Sequence, residues 1–167
     1  GDGILTSDDG YRYEGSWVDG IKQGSGKITY SDGAIYQGNI HAGQRSGKGT
    51  LTMPDGLIYS GNWKAGQING EGTLSKTNGN TYIGKLVDGL RDGLGTVKYA
   101  NGDIYQGQFK NDSRHGQGIF TGADGYHYTG NWSEGLISGQ GVATYPDGSI
   151  YKGAFLADLA HGIGTTI

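Results

Sequence analysis

The chain has 167 residues, of which 36 are glycine, about 22% against a usual share of about 7%, but with no glycine at every third position, so it is not collagen. Apolar residues make up only 34%, yet 12 Tyr, 3 Trp and 3 Phe are more aromatic content than a disordered chain carries. Thirteen basic and sixteen acidic side chains leave a net charge of −3, which argues against nucleic-acid binding; the lack of cysteine rules out disulfides, thiolate zinc sites and thiol nucleophiles.

From the N-terminus the elements come in a fixed order and then recur. Gly1-x-Gly3 is followed by Asp9-Gly10, by Tyr13-x-Gly15 with Trp17, by Gly20, and then by Gly24-x-Gly26, where the pattern restarts. The Tyr-x-Gly pairs are Tyr13 and Gly15, Tyr36 and Gly38, Tyr59 and Gly61, Tyr82 and Gly84, Tyr105 and Gly107, Tyr128 and Gly130, and Tyr151 and Gly153, each 23 residues from the last. A second column reads Asp-Gly or Asn-Gly, from Asp9-Gly10 to Asp147-Gly148. A third holds Gly20, Gly43, Gly66, Gly89 and Gly135, with Asp112 and Asp158 in the two remaining places. Both can tolerate the left-handed backbone better than most residues.

Asp-Gly between alternating segments predicts a type I′ hairpin turn at that column. After it, Tyr13, Gly15 and Trp17 share one face of a strand, while Glu14, Ser16 and Val18 share the other. Gly20 to Gly24 is expected to make a longer reversal through Ile21, Lys22 and Gln23. The return strand puts Gly26 and Ile28 beneath the rings. No stretch offers a helical period or room for a crossover helix. Eight Gly-x-Gly strands and seven Tyr-x-Gly strands, fifteen in all, predict an all-β protein: an elongated single-layer antiparallel meander or solenoid of hairpins, twisted and curled, with 1–167 as one array. The rings are expected to lie over cross-strand glycines, so that a valine at Gly84 collides with the ring above it.

The pattern Tyr36-x-Gly38-x-Ile40-x-x-Gly43-x-x-x-Gly47-x-Gly49, with Tyr59-Ser60-Gly61-Asn62-Trp63 and Arg114-His115-Gly116-Gln117-Gly118, resembles the MORN (membrane occupation and recognition nexus) repeat. The resemblance covers the whole chain. It implies a repeat scaffold, with either protein or anionic membrane as the counterpart, and it permits a targeting arm for a catalytic domain encoded elsewhere. The pattern is interrupted at Gly1 and Ile167, which leads us to expect a piece of a longer polypeptide. No signal-peptide pattern or membrane-length apolar run marks a compartment.

Catalytic chemistry is sought without success. Gly26-Lys27 and Gly47-Lys48 lack the upstream glycine of a phosphate loop. The Asp-Gly turns lack the alternating acids of a calcium loop. His115 and His161 stand two periods apart, too far for one metal ion. Glu14, Glu71 and Glu134 are scattered. The sequons Asn111-Asp112-Ser113 and Asn131-Trp132-Ser133 match a frequent pattern. The expectation is therefore a non-enzymatic scaffold without cofactor or metal, for protein–protein interaction and end-to-end self-association. Its candidate binding residues are the aromatic column Trp17, Trp63, Phe109, Trp132 and Phe155. Anionic lipid is the alternative, weakened because each reversal carries at most one cation.

Overall fold

The computed structural model describes residues 1–166, the side chains of 162 and 163 excepted; Gly162 of the last Gly-x-Gly pair and the interruption at Ile167 lie outside the described residues. Fifteen strands form: β1 (Asp2–Thr6), β2 (Arg12–Val18), β3 (Ile21–Thr29), β4 (Ile35–His41), β5 (Gln44–Thr52), β6 (Ile58–Lys64), β7 (Gln67–Ser75) and β8 (Thr81–Val87). They continue with β9 (Leu90–Lys98), β10 (Ile104–Lys110), β11 (Ser113–Thr121), β12 (His127–Ser133), β13 (Leu136–Thr144), β14 (Ile150–Leu156) and β15 (Leu159–Thr166). They follow one another in sequence order in an antiparallel sheet, with no crossover and no helix among the described residues. The all-β meander expected from the repeat is the fold. Its contacts divide the chain into one unit of Gly1–Asn78 with Leu86–Gly89, and another of Gly79–Lys85 with the residues from Leu90 onward.

In each unit a row of glycines runs across the strands. Gly3, Gly15, Gly26, Gly38, Gly49, Gly61 and Gly72 are successive cross-strand partners in the first. Gly95, Gly107, Gly118, Gly130, Gly141, Gly153 and Gly164 are partners in the second. Residues on a strand alternate faces, so the tyrosine two positions before each first-strand glycine shares its face. The ring folds down over the glycines: Tyr13 lies against Gly26, Tyr105 against Gly118 and Tyr128 against Gly141, where no Cβ would fit. Each ring is then pinned by its hydroxyl, which donates to the carbonyl three residues on: Tyr13 to Ser16 at 2.7 Å, Tyr36 to Asn39 at 2.6 Å, Tyr105 to Gln108 at 2.7 Å. Buried tyrosine hydroxyls need such a partner, and a backbone carbonyl at constant offset supplies it in every repeat where the geometry recurs.

The turns are exchanged relative to the sequence expectation. The tight two-residue hairpin is the one at Asp19-Gly20, since Val18 pairs directly with Ile21. Both of its central residues have positive φ, 50° and 76°, as a type I′ turn requires. The Asp-Gly column makes a longer loop instead, in which only Gly10 is left-handed, at φ 97°. There Asp9 Oδ1 accepts the Tyr11 N–H at 3.0 Å, the local bond that favours Asp in turns. What was expected as a reversal after Gly20 is strand β3 with a bulge: Gly15 pairs with Gly26 but Trp17 with Lys22. Gly24 absorbs the two extra residues at φ 103°. The two glycines of Gly-x-Gly thus do different jobs, one bending the strand and the other seating a ring.

Candidate functional site

The aromatic column proposed from sequence is packed away. Trp63, Phe109, Trp132 and Phe155 are 3–6% exposed, and Trp17 is half-buried. Of these candidate binding residues all but Trp17 are closed to direct contact by burial, and the physical reason is their contact with the tyrosines. Trp17 meets Tyr13 edge to face at 5.2 Å, Trp63 meets Tyr36 at 5.5 Å, and Phe155 meets both Tyr128 and Tyr151. Of the tyrosines, Tyr13, Tyr36, Tyr82, Tyr105 and Tyr128 are buried, while Tyr59 and Tyr151 are half-buried. Burial disfavours the phenolate and raises the pKa of Tyr13, Tyr36, Tyr105 and Tyr128. Tyr105 is pushed up to about 12 by desolvation, against the pull of Arg114. Tyr126 is pushed to about 12 by desolvation and by its tyrosine neighbours.

The bulge brings a feature onto this face that the sequence reading did not single out. Lys22, Arg45, Arg91 and Arg114 fall in one column with Ile68 and Ile137, and the bulge sets Lys22, Arg45, Ile68, Arg114 and Ile137 opposite the Trp17 position of their own repeats. Each arginine reaches forward over a ring of the next repeat. The guanidinium carbon is 4.8 Å from the Trp63 ring for Arg45, 4.9 Å from Phe109 for Arg91, and 4.6 Å from Trp132 for Arg114. Lys22 Nζ donates to the Tyr11 hydroxyl at 2.5 Å and lies 4.6 Å from its ring. Where the cation is missing, Ile68 and Ile137 fill the place and are buried. The recurrence of Lys or Arg two residues before Gly-x-Gly was a visible signal.

A backbone bond fastens each such residue to the turn 21 residues ahead. The N–H of Gly43 donates to the Lys22 carbonyl at 3.0 Å, that of Gly66 to Arg45 at 3.1 Å, and that of Gly135 to Arg114 at 3.0 Å. The arginine side chain returns along the same path, Arg114 donating through a terminal nitrogen to the Gly135 carbonyl at 2.7 Å. In the repeats that carry an arginine, ring, cation and turn therefore form one fixed unit.

The opposite face is polar from β2 to β7, while elsewhere it carries exposed apolar side chains, among them Ile83, Leu94 and Ile119. In the first unit it holds two adjoining open hollows of about 550 and 460 Å³, both touching Gln37 and Gly38. Their floor is the back of the glycine row, and their walls are side chains that alternate away from the rings: Glu14, Ser25 and Lys27, then Lys48, Asn62 and Glu71. Hydrogen-bonding groups of both polarities stand along this strip from β2 to β7. His115 is half-buried, and His41 Nδ1 is 2.9 Å from Gln23 Nε2. The described residues hold no group of three or more metal-ligating side chains.

A chain of identical hairpins, stacked in sequence order on a shared glycine row, is a β-hairpin repeat protein. The family profile described as the MORN repeat matches residues 13–35, 36–58, 59–81, 82–104, 105–125, 128–150 and 151–167. The chain belongs to the MORN repeat family. No curated protein matches it. Among solved structures it is similar to the TCP domain of Drosophila melanogaster SAS-4 (dCPAP) in complex with a proline-rich motif of Ana2 (dSTIL), at 16% identity over 89% of this chain and 86% of that one, with a TM-score of 0.49. It is also similar to the G-box domain of the microcephaly protein CPAP, at 14% identity over 100% and 98%, TM-score 0.40. The TCP10 domain of Danio rerio CPAP in complex with a STIL peptide matches at 16% identity over 90% and 77%, TM-score 0.29. At these values no functional inference is drawn from the likeness.

Proposed function

We propose that the chain is a non-catalytic scaffold that binds extended polypeptide. The observation that carries this reading is the polar strip crossing β2 to β7 in the first unit. At about 4.8 Å per strand, six strands span roughly 25 Å, the length of about seven extended residues. The strip is open rather than enclosed, so it suits a chain lying across it better than a small substrate held inside. Gln37, Thr50, Ser60 and Asn62 offer donors and acceptors along its length, and Glu14, Lys27, Lys48 and Glu71 balance one another in charge. The aromatic column Trp17, Trp63, Phe109, Trp132 and Phe155 supports binding from behind, by holding the sheet and its cations in place. An anionic membrane is a poorer counterpart, because clustered cations are what such a surface attracts, and here the arginines lie singly over rings.

Selection from a random peptide library tests this. Peptides selected on the parent protein are expected to lose binding to Gln37→Trp and Thr50→Trp, which fill the strip without touching the ringed face. Anionic vesicles are expected to leave the protein in the supernatant at low and moderate salt. Pelleting with vesicles, together with failure to select any peptide, overturns the reading.

A further inference from the structure

The three arginines of the cation column differ in one respect, the residue 21 positions further on. At Arg91 it is Asp112, and the arginine Nε donates to Asp112 Oδ1 at 2.7 Å while a terminal nitrogen donates to the Asp112 carbonyl at 2.6 Å. At Arg45 and Arg114 it is Gly66 and Gly135, and the guanidinium donates to the glycine carbonyl instead: Arg45 at 3.1 and 2.6 Å, Arg114 at 2.7 Å. Among the described residues no carboxylate pairs with either of these two.

The three places share one frame, although the stacked ring is Trp63, Phe109 and Trp132 in turn, Arg45 also faces Tyr30, and the residue before the turn position is Ala65, Asn111 and Glu134. Each side chain is half-buried, and each guanidinium is backed by a ring at 4.6–4.9 Å. Residues 66, 112 and 135 all take the left-handed backbone, at φ 83°, 72° and 83°. Each donates its N–H to the arginine carbonyl, at 3.1, 2.9 and 3.0 Å. Asp112 therefore marks where a carboxylate sits against this arginine, and its Oδ1 is also 3.3 Å from the Arg91 N–H. Gly66 and Gly135 leave that position without an acid, and a Cβ at either would meet nothing within 4 Å. Asp158 shows the same seat used without an arginine, its Oδ1 accepting the Ile137 N–H at 2.7 Å.

We propose that Arg45 and Arg114 are docking points for acidic side chains of a partner polypeptide, each Asp or Glu carboxylate taking the place that Asp112 takes at Arg91. This rests on the scaffold reading and adds a second surface, on the ringed face. A guanidinium already partly desolvated, held by a carbonyl and stacked on an indole, has little freedom left to lose on binding. Its planar fork matches a carboxylate in a way that an ammonium does not. A membrane surface recruits clusters of about four or more cations, whereas each of these arginines is the one cation of its repeat unit's column. The occupant is an acidic peptide segment.

The test uses the full 167-residue chain and a fluorescein-labelled peptide of Gly-Ser-Glu triplets, with the Gln-for-Glu peptide beside it, read by fluorescence polarisation at low salt. Triplets space the acids by about 10 Å, the pitch of one hairpin. The Glu peptide is expected to bind at least roughly tenfold more tightly than the Gln peptide, the worth of a charge-assisted bond. The double variant Gly66→Asp/Gly135→Asp supplies its own acids, as position 112 does, and is expected to weaken binding by a similar factor. Asp112→Gly frees Arg91 next to Arg114 and is expected to tighten it. Arg45→Gln/Arg114→Gln gives the same loss as the double Asp variant by a route that leaves the turns untouched.

Equal binding of the two peptides, no binding of either, or parent-like binding by both double variants with unchanged circular dichroism overturns the inference. So does pelleting with phosphatidylserine vesicles that the double Asp variant abolishes while the Glu peptide does not bind. Library peptides blocked by Gln37→Trp, together with a Glu peptide that binds no better than the Gln peptide, leave the scaffold standing and overturn the carboxylate sites alone.

Discussion

From Tyr82 onward the rings of the second unit form an unbroken alternating chain. Tyr82, Phe109, Tyr105, Trp132, Tyr128, Phe155 and Tyr151 meet edge to face at 5.1–5.4 Å, one after the next. The first unit has the same backbone without that chain. Ile40 stands where Phe109 stands, with its Cδ1 3.0 Å from where a Gly26 Cβ would be, and Leu86 Cδ1 lies at the same 3.0 Å over Gly72. Ile40 and Leu86 are as buried as the rings they replace. The seat over the glycine row therefore demands bulk, and aromaticity is an increment on top of it, about 0.5–1.5 kcal/mol for each edge-to-face pair. What both units share without substitution is the glycine row, so the backbone carries the fold.

If that is right, the largest losses come from the row and are equal in the two units. A Cβ at Gly84 would stand 2.5 Å from Gly95 Cα and 2.6 Å from the Leu94 carbonyl oxygen. At Gly15 the corresponding distances, to Gly26 Cα and the Ser25 oxygen, are both 2.5 Å. Because backbone cannot step aside as a side chain can, Gly84→Val and Gly15→Val are each expected to cost about 3 kcal/mol, the upper end of overpacking. Urea denaturation measures it, and a Gly15→Val loss well below that of Gly84→Val breaks the comparison. Next in size is Phe109→Leu, which keeps burial but removes ring contacts to Tyr82 and Tyr105 and the stacking of Arg91. About 2 kcal/mol is expected, against about 1 kcal/mol or less for Ile40→Leu, where no ring is lost.

Much of this was legible in the chain. The 23-residue period fixed the strand count, and the alternation of Tyr13, Gly15 and Trp17 fixed which face carries the rings. Three things were not. Ala42, Ala65 and Glu134 adopt φ near 50°, a conformation those side chains disfavour, so the tight turn was assigned to the Asp-Gly column, where the residue types advertise it. The collision expected at Gly84 was assigned to the ring, whereas the nearest atoms belong to the facing strand and the Tyr82 hydroxyl comes third, at 2.7 Å. The arginine column does not stand out in the sequence, because Lys and Arg usually are solvated. Only the bulge, which composition does not reveal, turns Arg45 and Arg114 inward over Trp63 and Trp132.

The hydroxyl pins give a smaller effect with a pH signature. Tyr105→Phe keeps the ring and leaves the Gln108 carbonyl without its donor, for an expected cost of about 1 kcal/mol at neutral pH. Burial raises Tyr105 to about 12, above the ordinary tyrosine value near 10, so the folded state holds its proton after the unfolded state has lost it. The stability this contributes is fully present below about pH 10 and is lost as pH rises toward 12. The gap between parent and Tyr105→Phe should therefore close over that window, as followed by denaturation at stepped pH; a gap that stays constant contradicts the raised pKa.

The smallest effect separates the turns from the rings. Ala65 and Asn111 occupy the same first turn position, at φ 50° and 48°, one in each unit. Left-handed backbone costs a residue with a Cβ about 1–2 kcal/mol, and asparagine recovers part of that through its short polar side chain. Ala65→Asn is expected to stabilise by about 0.5–1 kcal/mol, since Gly66 already satisfies the second position and Asn-Gly is the favoured pair. Asn111→Ala is expected to lose at least as much, because Asp112 leaves that turn without a glycine to share the strain. Neither change reaches a ring, so the near-ultraviolet circular dichroism should stay put while the melting temperature moves in opposite directions. If both variants shift the same way, residue identity at the turn is not what sets its stability.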